Sequence, residues 1–311
     1  MNFSRRNDTQ IIIIRIACRL LLMAVVGLPL QAIAEMQMDM GAKDGSTKDV
    51  DELSKELVNP IGSNWVINSY VNVNRKSGTV STDSRTVTEL LFQPVMPIPL
   101  DDKPMGLTLM NRPTLPILAN NPVPQTNALG EFSGYDNVTG VGDLMLMSAI
   151  GSMPKASFGM YMWGIGLSLM FPTATSDEIG SGKYSAGPSG MLVGYTENLT
   201  FGTVVSHVWS YAGDNDRMDV NMSQFQPIYI MQLDNGWQIG DNPTWTTRWD
   251  ASSGDKYDVP IGLGIFKTMY IGKRAWRFGV TPRYYVKSYE SWGNDWTVSF
   301  TITPVLTNPF K

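Results

Sequence analysis

The stretch DWTVSFTITPVL, residues 295–306, alternates apolar and polar side chains with a period of two. Successive side chains of a β-strand point to opposite faces, so this stretch predicts a strand with one apolar and one polar face. The two faces are Trp296, Val298, Phe300, Ile302, Pro304 and Leu306 against Asp295, Thr297, Ser299, Thr301 and Thr303. Strands of about ten residues with this alternation are typical of transmembrane β-barrels.

The two preceding segments, residues 276–287 and 257–265, repeat the alternation. A soluble β-sandwich alternates too and is the main structural alternative. Two features favour the barrel. The apolar face begins and ends in aromatic side chains, as in Trp276 and Tyr284, which is where a membrane barrel carries its interfacial girdles. The segments are also longer than the five or six residues of a usual globular strand.

Twelve such segments can be counted, an even number as in bacterial single-chain barrels. They lie near residues 64–74, 85–98, 105–118, 141–151, 157–172, 184–196, 200–212, 221–233, 236–249, 256–268, 274–289 and 295–307. The predicted fold is an all-β, antiparallel, up-and-down transmembrane barrel of about 12 strands, with ten or fourteen as alternatives. Short turns such as 101–104 and 234–236 alternate with longer loops at 119–140, 173–183 and 213–220. Short turns belong in the periplasm, so both chain ends are expected there.

Residues 1–34 predict a cleaved export signal. Arg5 and Arg6 precede the apolar run Leu20–Leu30, and Ala32-Ile33-Ala34 forms the cleavage pattern. Residues 35–63 follow as a polar, Met-rich periplasmic leader that is helix-like at 51–57, and the sequence leaves open whether it plugs the barrel. The barrel domain is predicted at 64–311. The localisation that follows is the outer membrane of a Gram-negative bacterium.

Composition excludes several classes of protein. The whole chain is 17% charged, below the roughly 25% of soluble domains, and its mean hydropathy is −0.10. Its longest apolar run is too short for a membrane-spanning helix. Without residues 1–34 the chain carries 20 basic and 27 acidic residues, a net charge of −7, so a nucleic-acid partner is not expected. Only Cys18 could supply a thiolate, and it lies in the signal segment.

Catalytic constellations are scarce in this sequence. His207 is the only histidine, and Ser206 and Ser210 lie on the strand face opposite to it. A twelve-stranded barrel lipase, in which a histidine activates a serine, is therefore a minor alternative. We predict no catalytic residue, no cofactor and no metal site.

Assigning the non-apolar strand faces to the interior predicts a lumen with a basic wall opposite a soft, methionine-rich wall. Its charged residues are Arg112, Arg248, Lys256, Arg277, Arg283 and Lys287, with Glu89, Asp143 and Asp258 as partial counter-charges. Its methionines are Met110, Met145, Met147, Met160, Met162 and Met170. Thioethers contact aromatic rings favourably, although these residues could equally just fill a tight interior. Twelve strands enclose a narrow space, suited to small aromatic or amphipathic cargo, anions included.

Several motifs occur in an order that resembles the outer-membrane transporter family of the MetA-pathway of phenol degradation. They are Asn59-Pro60, GVGD at 140–143, FPTAT at 171–175, GSGK at 180–183, SYAGDNDR at 210–217 and VPIGLG at 259–264. The resemblance spans about residues 59–307. It implies an outer-membrane barrel that passes small, often aromatic, compounds, and it supplies no catalytic residue. Members of that family often finish on an aromatic or apolar strand end, whereas this chain adds TNPFK at 307–311, where Phe310 is the candidate for recognition by the assembly machinery.

The function predicted from the sequence is passive passage of small, aromatic or amphipathic molecules through an outer-membrane barrel. The expected partners are outer-membrane lipid, small-molecule cargo and the assembly machinery. Two alternatives remain at this point: a structural or adhesive barrel that presents the 119–140 loop, and a lipid-hydrolysing barrel enzyme.

Overall fold

The computed structural model describes residues 50–57, 64–101, 106–156 and 159–310. The predicted signal segment, most of the predicted leader and the Asn59-Pro60 motif lie outside these ranges. Among the described residues, no helix is both long enough and apolar enough to cross a membrane.

Within the described residues, the regular structure consists of one short α-helix and sixteen strand segments. The helix α1 is Val50–Glu56. The strands are β1 (Asn64–Gly78), β2 (Ser81–Pro99), β3 (Thr108–Thr126), β4 (Phe132–Val141), β5 (Leu144–Ser152), β6 (Lys155–Ala156), β7 (Gly159–Phe171), β8 (Lys183–Tyr195), β9 (Leu199–Gly213), β10 (Asn221–Gln232), β11 (Trp237–Asp241), β12 (Trp245–Arg248), β13 (Tyr257–Gly262), β14 (Gly264–Ile271), β15 (Arg274–Lys287) and β16 (Gly293–Thr307). Three 3-10 turns lie at Asp177–Ile179, Asp234–Gly236 and Ser253–Asp255.

The strands form one closed antiparallel barrel. When each interrupted strand is counted as one, every strand pairs with its neighbours in the chain, and β1 pairs with β16 from Asn64↔Thr307 to Ser77↔Gly293, which closes the ring. Three of the walls are interrupted strands: β4 continues through β5 into the two-residue β6, β11 continues into β12, and β13 into β14. Counted this way the barrel has twelve strands, and the predicted fold class is confirmed.

The two ends of the barrel differ. At the end where β1 starts and β16 stops, here called the terminal end, turns are short, as at 196–198 and 272–273. The opposite end, the loop end, carries the longer connections 172–182, 214–220, 249–256 and 288–292. Arg217 ties two of these connections together, because its guanidinium donates to the carbonyls of Asp177 and Gly180.

The prediction of a long loop at 119–140 is wrong. β3 runs on to Thr126 and pairs with β4, so this region is a hairpin that extends the wall beyond β5, with a turn at 127–131. The prolines in β3 obscured the strand in the sequence. Proline removes a donor from the ladder but is tolerated at bulges, and the β3–β4 register shifts between Leu118 and Asn121.

Apolar and polar side chains lie on opposite faces of the strands, as the period-two alternation predicts. Apolar side chains on the outer face stay exposed around the barrel: Ile165, Leu167, Leu192, Val205, Phe225, Ile261, Leu263, Ile265, Val280, Val286 and Phe300. On β16 the alternate residues Thr297, Ser299, Thr301 and Thr303 are all buried inside. The molecule therefore carries an apolar belt on its outside and a largely polar lining on this part of its inside.

Helix α1 packs into the terminal end. Ser54 donates to the Gln232 side chain over 3.2 Å, and Gln238 donates to the Ser54 carbonyl over 2.8 Å. Leu53 and Leu57 are both buried, and Leu57 joins the apolar cluster inside the barrel. Helix α1 is thus anchored within the barrel mouth.

Candidate functional site

The lumen is the candidate functional site, and its terminal half is lined by an apolar cluster. Met110, Met147 and Met162 are buried there, each at most 5% exposed, and Met160 packs against the cluster. Met145 and Met170 lie opposite each other on β5 and β7, nearer the loop end. All six methionines sit at inward positions of their strands, because each alternates with exposed residues such as Ile150 or Ile165. Their role in passage stays a prediction.

Arg112 and Arg277 lie deep in the lumen. They line one cavity of about 70 Å³ together with Met110 and Met191. Arg112 donates to the side chain of Gln226 over 2.8 Å. Arg277 is 7% exposed and its guanidinium lies 4.0 Å from the centre of the Phe266 ring. Arginine and methionine side chains therefore line the same cavity. The sequence had predicted them on opposite walls of the lumen.

Arg283 is held by an ion pair with Asp241. Its Nε and Nη2 atoms donate to the two carboxylate oxygens over 2.8 and 2.7 Å, and the Asp241 side chain is fully buried. The pair passes over Gly262, where an added Cβ would lie 2.6 Å from Arg283 Cγ and 2.9 Å from Asp241 Oδ2. Glycine at this position therefore lets β15 reach β11 across the intervening strand.

The remaining predicted basic residues lie at the loop end. Arg248 and Lys287 are exposed there, and Arg248 covers the Tyr289 ring at 3.9 Å. Lys256 follows the 3-10 turn at Ser253–Asp255 and lies 5.9 Å from the Trp249 ring. The six basic residues thus form a deep group of three and a rim group of three.

The predicted acidic residues have separate roles. Glu89 accepts a 3.0 Å hydrogen bond from Asn72 within the lumen, and Asp258 occupies an inward position of β13. Asp143 instead binds the 172–182 connection: it accepts from the backbone amides of Ala174 and Ser181 and from the Ser181 hydroxyl. Asp143 is therefore a loop anchor and not a counter-charge to the deep arginines.

Two ionisable side chains at the loop end have pKa values shifted by their immediate surroundings. Burial raises the pKa of Tyr289 to about 12, against the opposing effect of the Arg248 guanidinium. Asp219 contacts the Lys183 ammonium at 3.0 Å. Hydrogen bonds from Lys183 and Ser210 lower the pKa of the Asp219 carboxyl.

Sequence reasoning missed several residues of the lumen. Met191 is buried beside the cavity, but glycines, a proline and serines hide the two faces of β8. Asp241 occurs where the ladder of β11 ends, so the alternation does not extend to it. Tyr70 and Gln226 do follow the inward parity of their strands and could have been found from it.

His207 lies on the outer surface, on the same strand face as the exposed Trp209. Ser206 and Ser210 are on the other face, as predicted, but Ser223 of β10 stands directly opposite His207. The His207 Nδ1 and Ser223 Oγ atoms are 2.7 Å apart, and the Trp249 indole donates to the same Oγ over 2.8 Å. His207 Nε2 has no hydrogen-bond partner within the described residues.

The architecture is supported by one of the comparisons with known proteins. No protein-family model and no curated protein matches this chain. Among solved structures, the chain is similar to an outer membrane channel from Pseudomonas putida F1, with a TM-score of 0.56 and 15% identity over 78% of this chain and 96% of that one. The outer membrane phospholipase A from Escherichia coli also matches, with a TM-score of 0.37 and 10% identity over 82% of this chain and 98% of that one. At 15% identity, the likeness to the channel concerns the fold.

Proposed function

We propose that this protein is an outer-membrane channel that lets small amphipathic molecules pass through its lumen. The observation that carries the proposal is a closed barrel with an apolar outer belt and an amphipathic interior cavity. The location in the outer membrane of a Gram-negative bacterium, the cleaved signal segment and the contact with the assembly machinery belong to the same proposal.

The outer surface supports insertion into a bilayer. Soluble monomers rarely expose apolar patches larger than a few hundred Å², whereas here exposed apolar side chains follow the wall from strand to strand. Exposed aromatic residues stand near both ends of the belt, with Trp237 at the terminal end and Trp209 and Tyr284 towards the loop end. Girdles of this kind sit at the two membrane interfaces of bacterial barrels.

The lumen supports restricted passage. Its cavity of about 70 Å³ is far below the 300–1,000 Å³ of typical ligand pockets, and Leu57, directly after α1, forms part of its wall. The interior residues combine thioethers and aliphatic side chains with arginine and amide groups. This mixture favours amphipathic cargo over large hydrophilic solutes.

The substrate class rests on the sequence. The ordered motifs that resemble the phenol-degradation transporters imply aromatic compounds, and methionines at inward positions offer soft contacts for an aromatic ring. The solved structure from Pseudomonas putida F1 is described as a channel, which agrees with passage as the activity.

Liposome uptake tests the proposal. The chain from residue 35 onward would be refolded into lipid vesicles, and entry of labelled benzyl alcohol and benzoate would be compared with entry of a disaccharide. We expect faster entry of both aromatic solutes than in protein-free vesicles and little entry of the disaccharide. Equal rates in the presence and absence of the protein would refute the proposal and leave a structural or adhesive barrel.

A second candidate, lipid hydrolysis, is favoured only by the contact between His207 and Ser223 on the membrane-facing surface. A histidine base beside a serine hydroxyl is the start of a nucleophilic site, but such sites also need a third group that orients the base. Ser223→Ala tests it. A hydrolase would lose ester cleavage in detergent-solubilised lipid, whereas a channel would keep its permeation rate.

A further inference from the structure

Two arginines in the lumen lack a charged partner. No carboxylate among the described residues lies within ion-pair distance of Arg112 or Arg277, in contrast to Arg283 with its Asp241. The Nε atom of Arg112 and the Nε and Nη2 atoms of Arg277 are buried without a hydrogen-bond partner in the described residues. Burying a charge without a partner costs free energy, so two such arginines on the wall of one cavity indicate a site for an anionic ligand.

Both arginines line the same cavity, and the rest of its wall fits an amphipathic molecule. Its polar lining includes Tyr70 and Gln93, and its apolar lining includes Val66, Val95 and Met191. The nearby acidic side chains are already engaged, since Glu89 accepts from Asn72 and Asp241 accepts from Arg283. The cavity is therefore positively charged at one place and apolar around it.

We propose that Arg112 and Arg277 form a binding site for the carboxylate of a small amphipathic acid, whose apolar body packs against Val66, Val95, Met110 and Met191. A guanidinium presents a planar fork of donors that matches a carboxylate, and hydrogen bonds between two charged groups are about twice as strong as neutral ones. The proposal rests on the proposed function, because it names the class of cargo that the lumen would select.

The size of the cavity sets the size of the acid. At about 70 Å³ the cavity is small even for a compact acid, and Leu57, directly after α1, forms part of its wall. A longer acid would need α1 to move out of the terminal end. Benzoate is therefore the first probe, because it combines one carboxylate with a small flat apolar body.

Equilibrium binding to the refolded protein in detergent micelles tests the site without any need for transport. Titration calorimetry would compare benzoate with benzyl alcohol and benzylamine in a buffer free of carboxylates. We expect benzoate to bind at least tenfold more tightly than either isostere. Arg112→Gln and Arg277→Gln should each weaken benzoate binding about tenfold or more and leave benzyl alcohol unaffected.

Three variants complete the design. Arg274→Gln, at the exposed first residue of β15 at the terminal end, is the matched control and should bind benzoate like the parent. Arg277→Lys keeps the charge but loses the fork, so intermediate affinity is expected. Leu57→Ala widens the cavity and should keep the preference for benzoate. Mobility on unheated gels would show that each variant is folded.

Two outcomes overturn the site: benzoate binding no tighter than benzyl alcohol in both the parent and Leu57→Ala, or unchanged benzoate affinity in both glutamine variants. The liposome experiment separates this result from a failure of the proposed function. Uptake of benzyl alcohol without benzoate binding would remove only the carboxylate site, whereas benzoate binding without any uptake would remove the channel.

Discussion

Replacing Arg283 by Met should cost far more stability than replacing Arg277 by Met, although both arginines are buried in the same lumen. Arg283→Met leaves the Asp241 carboxylate fully buried and removes its two charge-assisted hydrogen bonds of 2.7 and 2.8 Å. Breaking a buried ion pair by removing one partner typically costs about 3–5 kcal/mol. That corresponds to a change of more than about a hundredfold in the unfolding equilibrium.

Arg277→Met removes a guanidinium that has no acidic partner among the described residues. The variant loses the contact with the Phe266 ring, about 0.5–2 kcal/mol, but it also removes the desolvation penalty of an unpaired charge, which amounts to several kcal/mol. We therefore expect it to be at least as stable as the parent.

Urea unfolding in detergent micelles, followed by fluorescence of the nine tryptophans, would measure the two free energies. The double variant Arg283→Met/Asp241→Asn is the control, because it removes both charges and should recover part of the loss. Equal destabilisation by Arg283→Met and Arg277→Met would refute the distinction between a paired and an unpaired arginine. So would a double variant less stable than Arg283→Met alone.

Three further perturbations probe the parts of the structure that support the lumen. Gly262→Ala should destabilise the barrel by about 1–3 kcal/mol, since the new Cβ would lie 2.5 Å from the Pro282 carbonyl oxygen and would also displace the ion pair. Gly190→Ala on β8 is the comparison, because the nearest atom to its new Cβ lies 3.5 Å away, and equal urea midpoints of the two variants would contradict the crowding at Gly262. Gln238→Leu leaves the Ser54 carbonyl without its 2.8 Å donor, so the free energy that holds α1 in the barrel should fall by about 1–3 kcal/mol. Hydrogen exchange of residues 50–57 would detect this as lost protection, and unchanged exchange would contradict the docking of α1. The Asp219 carboxyl, which contacts Lys183, has a depressed pKa in the fold, so the stabilisation by this contact is present above the unfolded pKa of 3.8 and is lost as the pH falls through the lower folded value. The protection factor of the Val220 amide against hydrogen exchange should therefore fall in acid, and Asp219→Asn should abolish this pH dependence.

Period-two alternation predicted the wall of the barrel because a strand's two faces are set by local geometry alone. The faces of β15 and β16 follow directly from residues 276–306. Ring closure follows because an open strand edge inside a bilayer would leave backbone groups without hydrogen-bond partners. Inward parity likewise placed Arg112 and Arg277 in the lumen. These are statements about single strands, for which the sequence carries enough information.

Contacts between distant strands could not be predicted in the same way. Asp241 and Arg283 are 42 residues apart, and Ser54 and Gln238 are 184 apart, so each contact depends on the registers of several strand pairs. A one-residue change of register would turn every side chain of a strand to the other face. The pairing of His207 with Ser223 was missed for this reason, since only the β9–β10 register sets the two residues opposite each other.

The most direct test of the channel is its electrical conductance in a planar lipid bilayer. The chain from residue 35 onward would be compared with a variant that lacks residues 50–57, which removes α1 and the Leu57 side chain from the lumen. We predict small, discrete currents for the parent and clearly larger ones for the variant. Absence of current from both proteins, each shown to be folded and inserted, would contradict a passage through the lumen.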